Sequence, residues 1–337
     1  MSAGGPQRGS RGAAHDRPRP RRPWISTAAS LGSSAAAKPQ VWGPLFAVVG
    51  VLGFSFKAIL IKLAYAWTSI DPVTLLALRM VYSAPFFIAI AWVSGRTADA
   101  RPIAAADWRA LAFLGFLGYY FASYLDFVGL QYITAALERL VLFLNPTIVV
   151  VLSALMLKKP IQRRAVIALA LSYAGIAFVV WEDLHLGGDA RATMLGGGLV
   201  FASAIAYAFY LVRSTGVIAR LGSSRFIAWA MLASTGFVLI HFAVTRPLSA
   251  LDVPGSIHRL VLAMAVFSTV LPTWLIAESI RRMGANAASL VGSLGPVFTI
   301  GLGAAILGEP VRGLQLLGAA FVLSGVLLVT IKNNAPV

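Results

Sequence analysis

Ten apolar runs, separated by short polar connections, set the pattern of this chain. Each is close to the length of about 20 residues at which a helix crosses a hydrocarbon core of about 30 Å. Strands are not expected, because an open sheet in lipid leaves its edges without hydrogen-bond partners. The pattern predicts an all-α integral membrane protein with ten transmembrane helices, near residues 44–64, 72–94, 109–131, 136–157, 163–181, 194–214, 226–244, 259–280, 286–307 and 311–331.

The second half of the chain repeats the first at a spacing of 150 residues: Pro146 recurs as Pro296, and Gly175 recurs as Gly325. Each copy holds five of the apolar runs. Because five is odd, the second copy has to lie upside down in the bilayer relative to the first. Two inverted repeats are typical of transporters that work by alternating access. The pattern divides the chain into a tail at 1–40, a first repeat at 42–181 with helices 1–5, and a second repeat at 192–331 with helices 6–10.

Composition agrees with a membrane protein, with 58% hydrophobic residues, 12% charged residues and a mean hydropathy of +0.81. In a soluble protein the formal charge of +16 would suggest nucleic acid as a partner, but here the cations are distributed by side. If the N-terminus is cytoplasmic, 20 Lys and Arg residues lie on the cytoplasmic side and 6 lie near the opposite face. The sequence therefore predicts a multi-pass protein of the cell (plasma or inner) membrane with both termini cytoplasmic, bound to lipid and not to nucleic acid.

Residues 1–40 are rich in Arg, Pro, Gly and Ser and contain no apolar run, so they do not read as a secretory signal peptide. A transit peptide for an organelle has a similar composition. We favour a disordered basic tail on the cytoplasmic side, because the segment has too few apolar residues to form a core.

Motifs for catalysis or for cofactor binding are not found in the sequence. The chain contains no Cys, which removes disulfides and thiolate metal sites. Its four His residues form no metal-binding pair at helical spacing, and no zinc-protease, phosphate-loop or nucleophile-elbow pattern occurs. We therefore expect neither a metal nor a cofactor, and we do not expect an enzyme.

Charged residues inside the predicted helices are the strongest candidates for a substrate site. A charge near the bilayer centre costs about 3 kcal/mol and is tolerated mainly beside a partner or a water-filled cavity. The candidates are Lys57, Arg79, Asp126 and Glu138. One hypothesis is that the two cations attract the anionic part of a substrate, while one of the acids binds a cation or a coupling proton. The alternative is that Asp126 forms a structural ion pair with either Lys57 or Arg79 and that Glu138 complements a helix dipole.

A proline near the middle of helix 4, Pro146, is matched by Pro296 in helix 9. Proline has no backbone N–H, so each one frees the carbonyl four residues earlier, of Leu142 and of Gly292. Freed carbonyls at interrupted helices serve transporters as ligands or hinges, although proline kinks are also ordinary packing devices. We predict that the two prolines act as hinges and that Asn145 adds a polar group to the substrate site.

Hydroxyl and aromatic side chains at spacings of three and four follow one face of helix 3 and one face of helix 6. In a pore they could sandwich an apolar group or hold a cation. The alternative is that they pack the helices or anchor them at the membrane interface. A weaker polar pair lies in helix 9. From these sets the predicted substrate site includes Tyr120, Tyr124, Ser203, Tyr207, Tyr210, Ser289 and Ser293.

Helix 9 carries Leu294-Gly295-Pro296 and ends in Gly308-Glu309-Pro310; the first copy has Leu144-Asn145-Pro146 and Lys158-Lys159-Pro160. This pattern resembles the EamA family of the drug/metabolite transporter superfamily, and the resemblance covers residues 42–331. Lys159 departs from it, because the family commonly has an acid at that position. The resemblance implies a secondary transporter that moves small polar metabolites such as amino acids by alternating access of the two repeats, with export the expected direction.

Two other functions stay open at the level of sequence: a non-catalytic membrane scaffold or lipid scramblase, and a transporter of cationic drugs. A transporter predicts a central cavity lined by helices 1, 3, 4, 6, 8 and 9, whereas a scaffold predicts a solid core. The expected partners are a small-molecule substrate and lipid, and the chain is compatible with a monomer or a homodimer.

Overall fold

The computed structural model describes residues 42–96, 102–157, 163–185 and 189–330, and in these ranges all regular structure is helical. The predicted tail at 1–40 and Lys159 lie outside them.

Ten apolar helices, α1 to α10, make up the described structure, and nine of them are long and apolar enough to cross a membrane. The tenth is a shorter apolar helix. The all-α membrane fold of ten helices in two inverted repeats is thereby confirmed. In the order α1 to α10 the helices extend over Trp42–Trp67, Pro72–Gly95, Ala105–Gly129, Ala135–Met156, Arg163–Glu182, Ala190–Leu221, Ser223–Thr245, Gly255–Met283, Leu290–Leu307 and Gly313–Leu328.

Short polar side chains begin three of the helices by accepting backbone N–H groups that have no partner within the first turn. Asp71 Oδ1 accepts the N–H groups two and three residues ahead, at 3.0 and 3.2 Å, at the start of α2. Thr134 Oγ1 accepts one at 3.2 Å at the start of α4, and Asp189 Oδ1 accepts two at 2.9 and 3.2 Å at the start of α6. These residues fix where the chain turns into the next helix.

Successive helices alternate in direction between two faces of the bundle. Asp71, between α1 and α2, forms an ion pair of 2.9 Å with Arg246, which follows α7, so we call this side the Asp71 face. Asp107 in the first turn of α3 forms an ion pair of 2.6 Å with Arg220 near the end of α6, and we call that side the Asp107 face. Both ion pairs join one repeat to the other.

The Asp71 ion pair is expected to make stability depend on pH. Burial opposes ionisation of Asp71, but hydrogen bonds from Thr74 and Arg246 outweigh it and hold the pKa of the carboxyl below its usual value. Because the pKa of the Asp71 carboxyl is lower in the folded state than in the unfolded chain, the carboxylate stabilises the fold at pH values above the unfolded pKa. This contribution is lost as the pH falls below about 4. In detergent, Asp71→Ala should lower the stability at neutral pH by about 1 kcal/mol, the usual cost of a lost N-cap. Melting curves should show this difference from the parent shrinking at acid pH; a constant difference would contradict the assignment.

The boundary between α8 and α9 differs from the sequence prediction, which placed a loop near residues 281–285. Helical structure instead continues from Leu271 to Gly292. Contacts with α1 show that the chain nevertheless reverses there: Met283 packs against Gly43 at the start of α1, and the Gly295 carbonyl accepts a hydrogen bond of 3.2 Å from Ser55 further along it. The connection is so short that helical turns form it without a separate loop.

The helices pack in pairs that obey the symmetry between the two repeats. Helix α1 packs against α8, and its repeat equivalent α6 packs against α3, the equivalent of α8. Glycines allow the first approach, since a Cβ on Gly53 would lie 2.6 Å from Pro272 Cγ. They allow the second too, since a Cβ on Gly129 would lie 2.6 Å from Val200 Cγ2. The pairs α2 with α7, α4 with α9 and α5 with α10 each join equivalent helices across the pseudo-twofold axis.

Irregular turns also recur with the repeat. The α-helical pattern is interrupted at residues 143–144 in α4 and at 293–294 in α9, just before the two prolines. A π-helical turn at Phe116–Phe121 in α3 has a counterpart at Val266–Val270 in α8. A further π-helical turn, Gly303–Leu307 in α9, has no counterpart in the first repeat, where residues 153–157 are α-helical. The two repeats therefore differ at the end of this helix.

The contact between α5 and α10 depends on two glycines and gives a stability prediction. A Cβ on Gly318 would lie 2.6 Å from Val179 Cγ2 and 2.5 Å from the carbonyl oxygen of Gly175. Gly318→Val should therefore destabilise the protein by about 1–3 kcal/mol through overpacking. Gly301→Val is the matched control, because a Cβ on Gly301 meets nothing within 4 Å. Thermal melting in detergent should separate the two variants, and equal melting temperatures would show that this contact is not tight.

Candidate substrate cavity and buried charge cluster

A cavity of about 400 Å³ lies between the two repeats. This volume is in the range of small-molecule sites. Five of the six helices expected from the sequence contribute to it, namely α1, α4, α6, α8 and α9, and α3 contributes none of the described lining residues. The lining is mostly apolar and consists of Val51, Phe54, Arg139, Phe143, Tyr207, Ile276, Ile280, Ala288, Gly292 and Gly295.

Arg139 in α4 is the charged side chain among these lining residues. Its Nε donates to Thr299 Oγ1 in α9 at 3.1 Å, and its Nη2 donates to Ser55 Oγ in α1 at 3.2 Å. Both partners are neutral, and no ion pair within 4.0 Å joins Arg139 to an acid of the described chain. The guanidinium is thus held by hydroxyl groups from two other helices, and its direct side-chain contacts are not with a carboxylate.

Behind the cavity, one lysine is shared by two carboxylates. Lys57 Nζ in α1 donates to Asp126 Oδ2 in α3 at 2.7 Å and lies 3.2 Å from Glu138 Oε1 in α4. Glu138 has no exposed surface, and neither of its carboxylate oxygens accepts a hydrogen bond within the described chain. Because Glu138 directly precedes Arg139, this cluster and the cavity share the first turns of α4.

Arg79 in α2 lies outside both groups. It is 6% exposed, its Nη2 donates to Ser123 Oγ at 3.3 Å, and its guanidinium lies over the Phe127 ring at 5.0 Å from the centroid. Its Nε has no hydrogen-bond partner among the described atoms, and the structure places no ion pair between Arg79 and Asp126. The structural pair formed with Asp126 is therefore the one with Lys57.

Of the hydroxyl and aromatic residues predicted for the site, Tyr207 is the one among the described cavity-lining residues. Four of the others contact neighbouring helices. Tyr210 hydrogen-bonds Tyr119 at 2.9 Å, and Ser203 Oγ donates to the Ala122 carbonyl at 2.7 Å. Tyr120 hydrogen-bonds His241 Nδ1 at 3.1 Å, while the Tyr124 and His241 rings lie 5.0 Å apart between their centroids.

The polar residues predicted around the prolines are divided between several environments. Asn145 Oδ1 is buried without a hydrogen bond in the described chain. Ser293 Oγ donates to the Leu290 carbonyl at 2.6 Å, and the side chain of Ser289 lies outside the described residues. Gly292, whose carbonyl cannot receive an N–H from Pro296, lines the cavity.

Sequence reasoning did not single out Arg139, Ser55 or Thr299 as site residues. The sequence predicts that Arg139 lies near the water interface, where an arginine is ordinary, and the two hydroxyl residues have no distinctive spacing. One signal was available: Ser289 stands at the repeat-equivalent position of Arg139, so the arginine breaks the internal symmetry. Its partners could not be identified, because Thr299 is 160 residues away in the other repeat.

Comparisons with known proteins agree with this architecture. The chain is 29% identical over 296 residues to the uncharacterized transporter YcbK of Bacillus subtilis, covering 84% of this chain and 92% of that one. An uncharacterized transporter of Archaeoglobus fulgidus is 23% identical over 297 residues, covering 87% and 99% of the two chains. A protein of known crystal structure superposes with a TM-score of 0.59 at 20% identity, covering 87% of this chain and 99% of the other, which supports the fold.

The family model of EamA-like transporters matches twice, at residues 41–181 and 194–331. These two matches together cover most of the chain and coincide with the two repeats. The sequence resemblance is thereby confirmed, and the chain is a multi-pass membrane transporter that belongs to the EamA-like transporter family.

Proposed function

We propose that the protein exports small amino acids with apolar side chains from the cell by alternating access. The observation that carries the proposal is Arg139, which faces a mostly apolar cavity without a carboxylate partner. A half-buried cation that lines a cavity and has no ion-pair partner within 4.0 Å favours a substrate that supplies an anion. A substrate carboxylate is the group that matches the planar guanidinium best.

The remaining walls of the cavity fit the other parts of an amino acid. Pro296 cannot donate to the carbonyl of Gly292, which lines the cavity, so in this proposal that carbonyl accepts hydrogen bonds from the ammonium group. Apolar side chains such as Phe54, Phe143 and Ile276 suit a hydrocarbon or aromatic substituent. Cationic drugs are a poorer match, because the described lining contains a positive charge and no acid.

The buried cluster supports the site from outside the cavity. Lys57 neutralises Asp126 and lies close to Glu138, so the cluster holds α1, α3 and α4 in register behind Arg139. In the proposal Lys57, Asp126 and Glu138 are positioning residues, and the direct contact with the substrate carboxylate belongs to Arg139. Tyr207 supplies a hydroxyl within the cavity.

In the proposal, α4 and α9 bend near the bilayer centre as the repeats move against each other. Both are interrupted just before Pro146 and Pro296, which we take as the hinges. The termini and the Asp107 face are cytoplasmic in this proposal, and the Asp71 face is extracellular, as the distribution of Lys and Arg favours. A carrier without a coupling ion moves its substrate down a gradient, so a metabolite that accumulates in the cytoplasm leaves the cell.

Uptake into proteoliposomes tests the substrate class. The purified protein is supplied in turn with leucine, phenylalanine, glutamate, lysine and a cationic drug, with and without a pH gradient. Saturable flux of leucine and phenylalanine, well above that of glutamate, lysine and the drug, is the expected result. Saturable flux of the cationic drug alone, or of no amino acid, would contradict the proposal.

A further inference from the structure

A group of polar contacts ties three cavity-lining helices together at the Asp71 face. Glu309, two residues after α9, extends to the first turn of α4, where its Oε1 accepts the Ala135 N–H at 3.0 Å. Lys62 near the end of α1 donates to the Ile133 carbonyl at 2.8 Å, and its Nζ lies 3.9 Å from the same Glu309 oxygen. Helices α1, α4 and α9 therefore meet here.

The backbone around Glu309 is shaped for this contact. The π-helical turn Gly303–Leu307 ends α9, and Gly308 then takes a left-handed conformation with φ of 68° that favours glycine. A Cβ on Gly303 would lie 2.9 Å from Glu309 Oε2, so a glycine at that position leaves room for the carboxylate. This π-helical turn has no counterpart in the first repeat. Since π-helical turns often occur at functional sites, it supports a role for this end of α9 in the transport cycle.

The contact crosses the boundary between the repeats. Glu309 belongs to the second repeat, whereas Lys62 and Ala135 belong to the first. If the repeats rock about the cavity, the outer ends of α4 and α9 must separate for the cavity to open toward the Asp71 face. The hydrogen bond between Glu309 and Ala135 has to break in that movement.

The contacts of Glu309 with Ala135 and Lys62 have a strength that suits a contact that forms and breaks. A carboxylate at a helix N-terminus is favoured by the helix dipole and by a charge-assisted hydrogen bond. Against that, Glu309 Oε2 accepts no hydrogen bond within the described chain, and Lys62 lies beyond hydrogen-bond distance from Oε1. A fully satisfied buried ion pair would hold the helices more firmly.

The repeat-equivalent positions of Glu309 and Lys62 carry different residues in the sequence. The repeat equivalent of Glu309 is Lys159, which has no side-chain acceptor for a backbone N–H, and the equivalent of Lys62 is Val212. Of the described parts of α4 and α9, only α9 has the additional π-helical turn. The contacts of Glu309 can therefore stabilise closure at the Asp71 face. The symmetry between the repeats does not create the same contacts at the Asp107 face.

We propose that Glu309 and Lys62 form a latch that closes the transporter at the Asp71 face and biases the unloaded protein toward the state open to the Asp107 face. The proposal rests on the alternating access of the proposed function. It does not depend on the substrate, because the latch contacts protein groups alone.

Accessibility of a single cysteine tests the latch, and the absence of Cys from the natural chain makes the assay clean. Val51→Cys places a thiol in the cavity. In a separate variant, Ser249→Cys, in the exposed 3₁₀ turn after α7, marks the Asp71 face. A membrane-impermeant maleimide is added without substrate to vesicles of both orientations. With Glu309 intact, the cavity thiol should react faster from the Asp107 face.

Glu309→Ala should raise the reaction rate from the Asp71 face about fivefold, the shift expected from losing one net hydrogen bond. Lys62→Met should change the rate in the same direction. The matched control is Glu278→Ala, which removes an acid paired with Arg281 and Arg282 near the C-terminal end of α8. It should leave the rate of labelling from the Asp71 face unchanged.

Equal labelling from the Asp71 face in the parent and in both latch variants would overturn the proposal. If Glu309→Ala does not insert into the membrane, the labelling rate of Lys62→Met alone tests the latch. A shift in labelling together with no flux of any amino acid would uphold the latch and reject only the proposed substrate.

Discussion

Arg139→Ala should reduce the affinity for an amino acid about 10- to 100-fold, which is the loss expected for a charge-assisted hydrogen bond to a carboxylate. The reason is that Arg139 is the charged side chain among the described residues that line the cavity. The measurement is the concentration dependence of leucine flux in proteoliposomes. Arg139→Lys keeps the charge but not the planar fork of donors, so it should retain part of the affinity.

The matched control is Arg220→Ala, because Arg220 forms its ion pair with Asp107 at the face of the bundle, away from the cavity. That variant should keep the KM of the parent. An Arg139→Ala protein with unchanged affinity would show that the substrate anion binds elsewhere.

Lys57→Met should have the largest effect on the folded protein. It leaves the carboxylates of Asp126 and Glu138 buried without their shared cation. Removing one partner of a buried ion pair costs about 3–5 kcal/mol, because the remaining charge is left without compensation. We expect a lower melting temperature in detergent and a loss of transport, since the cluster positions the first turns of α4.

A second substitution separates this electrostatic effect from simple loss of packing. Adding Asp126→Asn to Lys57→Met removes one of the uncompensated charges and should recover much of the lost stability. The comparison is the melting temperature of the single and double variants. No recovery in the double variant would contradict the view that the uncompensated charge of Asp126 causes the loss of stability.

The helices and their arrangement follow closely from the sequence because the bilayer leaves few options. Backbone groups in lipid must bond within each helix, so the length of an apolar run defines a span. The 150-residue spacing then fixes the inverted repeat, and even the interruptions before Pro146 and Pro296 follow from a missing N–H. The connection between α8 and α9 was not predictable, because helical turns replace the loop that the polar residues suggested.

The charge cluster shows where sequence reasoning stops. The sequence identifies Lys57, Asp126 and Glu138 as costly charges within the spans but does not decide which groups pair. Helix rotation decides it: Lys57 contacts both acids, and Arg79 is turned toward Ser123 and Phe127. Arg139 is similar, since its role depends on Ser55 and Thr299, which approach it from helices distant in sequence.

Counterflow of labelled leucine tests the central claim most directly. Proteoliposomes loaded with unlabelled leucine are diluted into a trace of the labelled amino acid. An alternating-access carrier exchanges the two and should transiently accumulate the label above its external concentration. Equilibration without such an overshoot would contradict an alternating-access carrier of apolar amino acids.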